Sequence, residues 1–235
     1  MKKTILFLFL SAGVASYAQF VPAKDTIISK DTVVAGREYW TIRSVNGSRI
    51  STGAMMNGMR EGVWRDYSDM GMLLKLVEYK NGLRSGVYNE FNSNGVMSVD
   101  ETYRNDTLEG ERVVMNSFGR PKINENYKHG LLEGERKSFY DDSKPQEESQ
   151  WKNGIKNGVA KWYYQSGKIS IEYNYVNGIL SGPAKIYNED GIVISEGNYV
   201  NNDEEGEWKQ YDKAGKLIKK KIYKKGNVVK ESDVK

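Results

Sequence analysis

The 235-residue chain lacks several residue types on which common kinds of functional site depend. It contains no cysteine, which excludes disulfides, cysteine-ligated metals and lipid attachment at a cysteine. Its one histidine, His129, is too few for a histidine-rich metal site and would have to serve any Ser–His–Asp triad alone. The sequence therefore predicts a protein that is not an enzyme and that holds no cofactor.

Long apolar runs are also absent, and the one short run lies at the N-terminus. Two lysines follow Met1, an apolar stretch extends from Ile5 to Leu10, and small residues continue up to Ala18. This layout is typical of a secretory signal peptide with cleavage after Ala18. A membrane anchor would need about twenty apolar residues, roughly twice what this stretch offers. We therefore predict that residues 1–18 are a signal peptide and that the mature chain is exported to the periplasm, cell surface or exterior.

Repetition is the strongest feature that the chain does have, because a glycine returns every 24 residues without insertion or deletion. The seven glycines are Gly62, Gly86, Gly110, Gly134, Gly158, Gly182 and Gly206. A period of this length indicates a repeat array, in which each copy packs against its neighbours. Such uniformity leaves few positions for unique chemistry.

Each copy contains two turn signals. Asn-Gly pairs such as Asn177-Gly178 end most copies, and a second glycine such as Gly167 divides most of them. Asn and Gly tolerate the positive φ of tight hairpin turns. Between the turns, apolar and polar residues alternate, as in residues 169–175, which indicates strands covered on one face. Residues 57–224 therefore predict about fourteen antiparallel strands in a ribbon on the order of 65 Å long.

Aromatic residues recur twice in each copy, five and seventeen residues after the glycine. The positions are Tyr67/Tyr79, Phe91/Tyr103, Met115/Tyr127, Phe139/Trp151, Tyr163/Tyr175, Tyr187/Tyr199 and Tyr211/Tyr223, with Met115 the one exception. We expect these columns to stabilise the array by packing between neighbouring strands. Tyrosine and tryptophan also suit a glycan- or peptide-binding strip. The candidates for such a binding surface are the aromatic residues in less regular columns: Trp64, Tyr88, Trp162 and Trp208.

Several segments resemble MORN repeats, and in particular the MORN-repeat variant. The similar segments are Gly-Val-Trp-Arg-Asp-Tyr67, Gly-Glu-Trp-Lys-Gln-Tyr211 and the Tyr-x-Asn-Gly-x-x-x-Gly runs at 79–86 and 175–182. The resemblance implies an all-β fold, an elongated single-layer antiparallel sheet of stacked β-hairpins. It also implies an interaction or scaffold module, in some members with lipid contact, and no catalytic residues. Members are often labelled antitoxin-like, a cytoplasmic role that the predicted signal peptide disfavours.

The resemblance and the repeats divide the chain into four predicted parts. Residues 1–18 are the signal peptide, and residues 19–56 include a degenerate capping repeat at 33–56 that keeps Gly47 in register. Seven repeats follow at 57–224, and residues 225–235 form a basic C-terminal tail. The strands at the two ends would expose unpaired backbone unless they are capped, which makes self-association through the terminal strands an open possibility.

Lysines are concentrated at the C-terminal end. They are Lys219, Lys220, Lys221, Lys224 and Lys225. One interpretation is an anionic-surface contact, in which they bind anionic lipid or glycan. The other is an edge strand that the lysines protect against further pairing. Nucleic acid is disfavoured as a partner, because the net charge is only +4 and export removes the usual target.

Charge also follows the repeat. The basic residues Arg65, Lys137, Lys161, Lys185 and Lys209 lie three positions after the glycine, and the acidic residues Asp100, Glu148, Glu172 and Glu196 lie fourteen positions after it. These columns predict charge ladders, which serve either to keep the sheet soluble or to recognise an extended partner.

The favoured function is an exported, non-enzymatic repeat protein that acts as a protein-binding scaffold of the cell envelope. One alternative is an envelope-surface adaptor that binds anionic lipid or glycan through its basic C-terminal end. A second alternative, an antitoxin-like component, conflicts with the signal peptide.

The repeat period leads to a prediction about deletions. Removing residues 129–152, one full period, is expected to leave a shorter folded protein, because the turn and strand pattern resumes in register. Removing only twelve residues is expected to disrupt the stacking. Circular dichroism and the cooperativity of thermal unfolding would compare the two variants, and equal unfolding of both would contradict the modular array.

Overall fold

The described part of the protein is built from β-strands alone. The structure is a computed structural model that describes residues 26–34 and 36–234. The predicted signal peptide at 1–18 lies outside the described residues. Within the part that the structure describes, no helix is long and apolar enough to cross a membrane.

The strands form one open antiparallel sheet in which consecutive strands of the chain pair, except that two short strands share a partner with the strand that follows them. They are β1 (Thr26–Val34), β2 (Arg37–Ser44), β3 (Arg49–Met56), β4 (Met59–Tyr67), β5 (Leu73–Lys80), β6 (Leu83–Phe91), β7 (Met97–Arg104), β8 (Thr107–Met115), β9 (Pro121–Lys128), β10 (Leu131–Leu132), β11 (Gly134–Phe139), β12 (Pro145–Lys152), β13 (Ile155–Tyr163), β14 (Ile169–Val176), β15 (Ile179–Leu180), β16 (Gly182–Tyr187), β17 (Val193–Val200), β18 (Asp203–Tyr211), β19 (Leu217–Lys224) and β20 (Asn227–Asp233). The predicted fold class is confirmed.

Each 24-residue copy is one pair of strands, as β13 and β14 show for the copy of Gly158. The repeating glycine lies at a shift in register between neighbouring strands. Gly158 has a φ of 112°, and the pairing of β12 with β13 shifts opposite it. In two copies the irregularity splits the first strand, so that β10 and β11 together lie beside β9, and β15 and β16 beside β14. The glycine period therefore reflects a backbone conformation that other residues rarely adopt.

The predicted hairpin turns are confirmed by their backbone angles. Asn177 and Gly178 have φ values of 50° and 81°, as a type I′ turn requires. His129 takes the same conformation, with a φ of 53°, and its side chain is 79% exposed. The single histidine is thus a turn residue in the place of the usual asparagine.

The N-terminal cap contributes a hairpin and a small hydrophobic core. Strands β2 and β3 lie within the predicted capping repeat, and β1 adds one further strand that the repeat pattern did not predict. Trp40, Ile42, Met55 and Trp64 form a buried cluster across β2, β3 and β4. Met55 takes the position that an aromatic residue holds in the regular copies, so the degenerate cap still packs as a repeat does.

The C-terminal end differs from the predicted arrangement. Residues 227–233, expected as part of a tail, form strand β20, which pairs with β19. A Lys225-Gly226 turn connects the two strands in the position of the earlier Asn-Gly turns. Because β19 has neighbours on both sides, its interpretation as a lysine-protected edge strand is wrong.

Alternate residues of each strand lie on opposite faces of the sheet. We call one face the aromatic face, because it carries the four binding candidates together with Tyr173, Tyr175, Tyr199 and Tyr223. We call the other the charged face, because it carries the cross-strand pairs of Lys161 with Glu148 and Glu172. The two regular aromatic columns therefore separate, one to each face: Tyr175 lies on the aromatic face and Tyr163 on the charged face.

Two tryptophans of the aromatic face lie over glycines of the preceding strand. A Cβ atom at Gly53 would overlap the ring of Trp64, and one at Gly197 would overlap the ring of Trp208. Each indole also donates to a backbone carbonyl, at 2.8 Å from Trp64 Nε1 to Ala54 O and 3.2 Å from Trp208 Nε1 to Asn198 O. The glycines thus provide the space in which a large ring is buried on a single-layer sheet.

This arrangement predicts that Gly197→Ala destabilises the C-terminal copies by about 1–3 kcal/mol, because the added methyl group overpacks against the Trp208 ring. Urea unfolding followed by tryptophan fluorescence would measure the loss. The matched background is Trp208→Ala, in which Gly197→Ala is expected to cost little more, since the ring is gone. Equal costs in both backgrounds would contradict the stacking.

Candidate partner-binding surface

A single row of side chains follows the centre of the aromatic face from strand to strand, and its chemistry changes along the sheet. At the N-terminal end it contains Trp40, Trp64 and Tyr88, and at the C-terminal end Tyr173 and Trp208. Between these ends the row contains acidic and basic residues, followed by Ser149 and Ala160. Since residues 26–34 and 36–234 form no second layer over the row, its members are buried by their lateral neighbours.

The charged residues of the row belong to a continuous ion-pair ladder, which leaves the row at Arg136 and continues to Glu147 and Lys156. Its six members, which we call the ionic ladder, are Glu101, Arg112, Glu125, Arg136, Glu147 and Lys156. Arg112 Nε donates to Glu101 Oε1 at 2.7 Å, and Arg112 Nη1 donates to Glu125 Oε2 at 2.9 Å. Arg136 repeats this pattern, with 3.0 Å from Nε to Glu125 Oε1 and 3.2 Å from Nη1 to Glu147 Oε2. Lys156 Nζ completes the ladder at 2.8 Å from Glu147 Oε1.

Burial makes the ionic ladder an interdependent unit. The Glu125 side chain is only 9% exposed, and it accepts hydrogen bonds from Arg112, Arg136 and the hydroxyl of Tyr127. A buried carboxylate is tolerated only when its oxygens are satisfied in this way. The ladder therefore holds its arginine side chains in place, which gives this part of the surface a fixed pattern of charge.

Two pKa shifts follow from this environment. Burial and a hydrogen bond to Glu101 raise the pKa of Tyr103 to about 12. For Glu147, burial acts to raise the pKa, but the hydrogen bond from Lys156 and the charges of Lys156 and Arg136 outweigh it, so the pKa is lowered from its ordinary value of 4.5. Both groups therefore keep their neutral-pH charge state over a wider pH range than usual.

On the C-terminal side of the ionic ladder, aromatic rings form an edge-to-face series. The ring centroids are 5.8 Å apart for Trp162 and Tyr173, 5.6 Å for Tyr173 and Tyr199, 5.2 Å for Tyr199 and Trp208, and 6.1 Å for Trp208 and Tyr223. Edge-to-face pairs at these distances stabilise by about 0.5–1.5 kcal/mol each beyond the area that they bury. The series therefore couples consecutive copies and presents ring surface on one face.

A groove lies where the ionic ladder meets the aromatic series. Its volume is about 340 Å³, and its lining residues are Lys122, Ile123, Arg136, Ser138, Gln146, Glu147 and Trp162. Cross-strand pairing places Ile123 beside Ser138, Ser138 beside Glu147, and Glu147 beside Trp162. Ser138 has the smallest side chain of this row. We call this feature the Ser138 groove.

The four aromatic binding candidates share the aromatic face but differ in accessibility. Trp64 is 1% and Trp208 4% exposed, so both are core residues and offer almost no surface to a partner. Tyr88 is half-buried, with its ring 5.5 Å from that of Tyr103 and its hydroxyl bonded to Glu90. Trp162 is half-buried and lines the Ser138 groove. The structure thus leaves Trp162 as the candidate at an open site.

The five C-terminal lysines do not form a single patch. Lys219 and Lys221 lie on the aromatic face and pair with Glu231, while Lys220 lies on the charged face, 3.5 Å from Glu207. Lys224 ends strand β19, and Lys225 lies in the following turn. The cluster in the sequence is therefore divided between two faces and partly neutralised.

On the charged face, the predicted charge columns come together as cross-strand pairs. Nζ to carboxylate distances are 3.7 Å for Lys137 and Glu148, 3.9 Å for Lys161 and Glu172, and 3.7 Å for Lys209 and Glu196. These side chains are about one-third exposed, and pairs of this kind contribute about 0–1 kcal/mol each. Among the described residues, no cluster of acidic and histidine side chains could hold a metal ion.

Sequence reasoning missed the ionic ladder and the tryptophan–glycine pairs. The position relative to the repeating glycine does contain a signal. Arg112 and Arg136 lie two residues after it, as Trp64 and Trp208 do, and Trp40 lies 24 residues before Trp64. The sequence does not reveal that Glu101 lies beside Arg112 and Glu125 between the two arginines, since that depends on the register of neighbouring strands.

The lowered pKa of Glu147 leads to a pH prediction. Its ionisation stabilises the fold fully above about pH 4.5, and this contribution is lost as the pH falls through the lowered pKa of the folded state. Glu147→Gln is therefore expected to cost about 1–3 kcal/mol at neutral pH and progressively less below pH 4.5. Urea unfolding at pH 7, 4.5 and 3 would measure the difference. Glu189→Gln, at an exposed turn, is the control, and a deficit independent of pH would contradict the assignment.

Comparison with known families agrees with the sheet. The family model described as MORN repeat variant matches residues 132–153, 156–177, 180–201 and 204–225, which correspond to copies four to seven. No curated protein matches the chain. The copies between residues 57 and 128 form hairpins in the same sheet. Residues 132–225 therefore contain four consecutive repeats of the MORN-variant type.

Proposed function

We propose that this chain is an exported, non-enzymatic scaffold that binds a partner protein through its aromatic face. The observation that carries the proposal is the edge-to-face series from Trp162 to Tyr223, on a face over which the described residues form no second layer. In a two-layer protein such rings would be covered by the opposite layer. Here Trp208 is covered by its neighbours, and a partner covers the half-buried rings of Trp162, Tyr173, Tyr199 and Tyr223.

The composition of the aromatic face supports a protein as the partner. Tyrosine, tryptophan and arginine are enriched in protein interfaces, where they supply most of the binding energy. The aromatic face combines these residue types, because Trp162 and Arg136 both line the Ser138 groove and Tyr173 packs edge-to-face against Trp162. Rings held by neighbouring rings also lose little conformational freedom on binding, which favours affinity.

The alternative of an anionic surface bound through the basic end has less support. It requires several lysines that act together on one surface, whereas Lys219 and Lys220 face opposite sides and each pairs with a carboxylate. Export rests on the sequence of residues 1–18, and an exported chain is not suited to the cytoplasmic antitoxin-like role. We therefore place the proposed scaffold in the cell envelope or outside the cell.

Site-specific photo-crosslinking tests this function. A photoreactive amino acid at Ser195, on the aromatic face, is expected to capture a discrete protein in the native envelope at both low and high salt, because apolar contacts are not screened. The matched control is the same amino acid at Lys185, one strand away on the charged face, where no capture is expected. Equal capture from both positions, or capture of lipid or glycan that salt abolishes, would contradict the proposal.

A further inference from the structure

The Ser138 groove is lined by two apolar walls with polar groups between them. Ile123 forms one wall and the Trp162 ring the other, and the row from Ile123 through Ser138 and Glu147 to Trp162 crosses four neighbouring strands. With strands about 4.8 Å apart, the two walls lie roughly 14 Å from each other at the backbone. A groove of about 340 Å³ between them has room for a large side chain of a partner.

The polar groups of the Ser138 groove differ in whether they are already engaged. Arg136 and Glu147 bond to each other within the ionic ladder. In contrast, the Lys122 ammonium, the Gln146 amide and the Trp162 indole N–H have no hydrogen bond or ion pair with any residue in the described ranges 26–34 and 36–234. Lys122 and Gln146 are also exposed. The side of the groove away from the ladder thus offers a cation and several hydrogen-bond donors.

Further cations extend this side of the groove along the neighbouring turns. Arg120 and Lys144 lie two residues before Lys122 and Gln146, and Lys168 takes the same position in the next copy. Each side chain reaches a backbone carbonyl of the following turn, at 3.5 Å from Arg120 Nη1 to Asp141 O, 3.0 Å from Lys144 Nζ to Gln165 O and 3.0 Å from Lys168 Nζ to Asp190 O. Lys144 also pairs with Asp142 at 3.4 Å, and the turns that Arg120 and Lys168 contact carry Asp141 and Asp190, so Lys122 is the cation of this side that pairs with no carboxylate among the described residues.

We propose that the Ser138 groove binds an acidic segment of a partner protein, with an apolar side chain of the partner between Ile123 and Trp162 and a carboxylate beside Lys122. This inference rests on the proposed function and specifies the chemistry of the partner. Charge complementarity selects an acidic segment, because the unengaged groups of the groove comprise a cation and donors. The apolar walls require that the acidic residues be interspersed with aliphatic or aromatic ones.

Selection from a random dodecapeptide library displayed on phage, with residues 19–235 as the immobilised target, tests this inference. Enriched peptides are expected to carry aspartate or glutamate next to an aliphatic or aromatic residue. Enrichment of peptides without acidic residues, or no enrichment, would overturn it. Binding of phosphatidylglycerol vesicles in place of peptides, if lost on Lys122→Glu, would assign the groove to a lipid headgroup and would also overturn it.

Two substitutions locate the binding of the selected peptides. Lys122→Glu is expected to weaken it at least tenfold, and the control Lys128→Glu makes the same charge change at the other end of β9 with no effect. Ser138→Ile is expected to fill the groove and abolish binding while the protein stays folded, because the equivalent positions of neighbouring copies hold Val114, Trp162 and Ile186. Unchanged binding in both groove variants would contradict the assignment.

The outcome is separable from that of the proposed function. If Lys122→Glu still captures a protein from the Ser195 position, the aromatic face binds a partner but the Ser138 groove does not select it. If Ser195 captures nothing while selected peptides bind the groove and respond to Lys122→Glu, the groove assignment stands and the broader aromatic-face interface is wrong.

Discussion

Lateral packing between side chains on neighbouring strands is the interaction on which this protein depends, because a single-layer sheet has no second layer to cover its residues. The side chains of each row across the strands must therefore bury one another. Trp208 does so by lying over Gly197 and between the rings of Tyr199 and Tyr223. A contact that is lost in one copy exposes the neighbouring copies as well, which explains why the array is uniform in length and register.

The centre of the aromatic face solves this packing problem in two ways. Toward the ends it uses rings, and in the middle it uses the ionic ladder, in which Arg112 and Arg136 each join two carboxylates. Rings bury apolar area and leave a face suited to apolar contact, whereas the ladder satisfies its charges internally and fixes their positions. The Ser138 groove lies at the boundary between the two, so it combines a ring wall with charged and hydrogen-bonding groups.

Most of the fold could be predicted from the sequence, because turns and strands are local. The Asn177-Gly178 turn requires a backbone conformation that few other residues accept, and the alternation from Ile169 to Tyr175 shows which residues share a face. Strand β20 was missed because residues 227–233 lack the glycine and aromatic signals of a copy, although β19 still offers them a partner. The candidate site was predictable only in part. Trp162 was identified as a binding candidate and lines the groove, but Trp64 was also predicted to bind a partner although its side chain is buried.

The repeat period, the all-β class and the hairpin order were determined by residues close together in the chain, since glycine, asparagine and strand alternation act through local backbone conformation. Which side chains meet across the strands was decided by the register of the tertiary structure. Glu125 and Arg112 are thirteen residues apart in the chain and become hydrogen-bonded partners only through the pairing of β8 with β9. Burial, the ionic ladder and the Ser138 groove all arise at that level, because each requires several strands to be aligned at once.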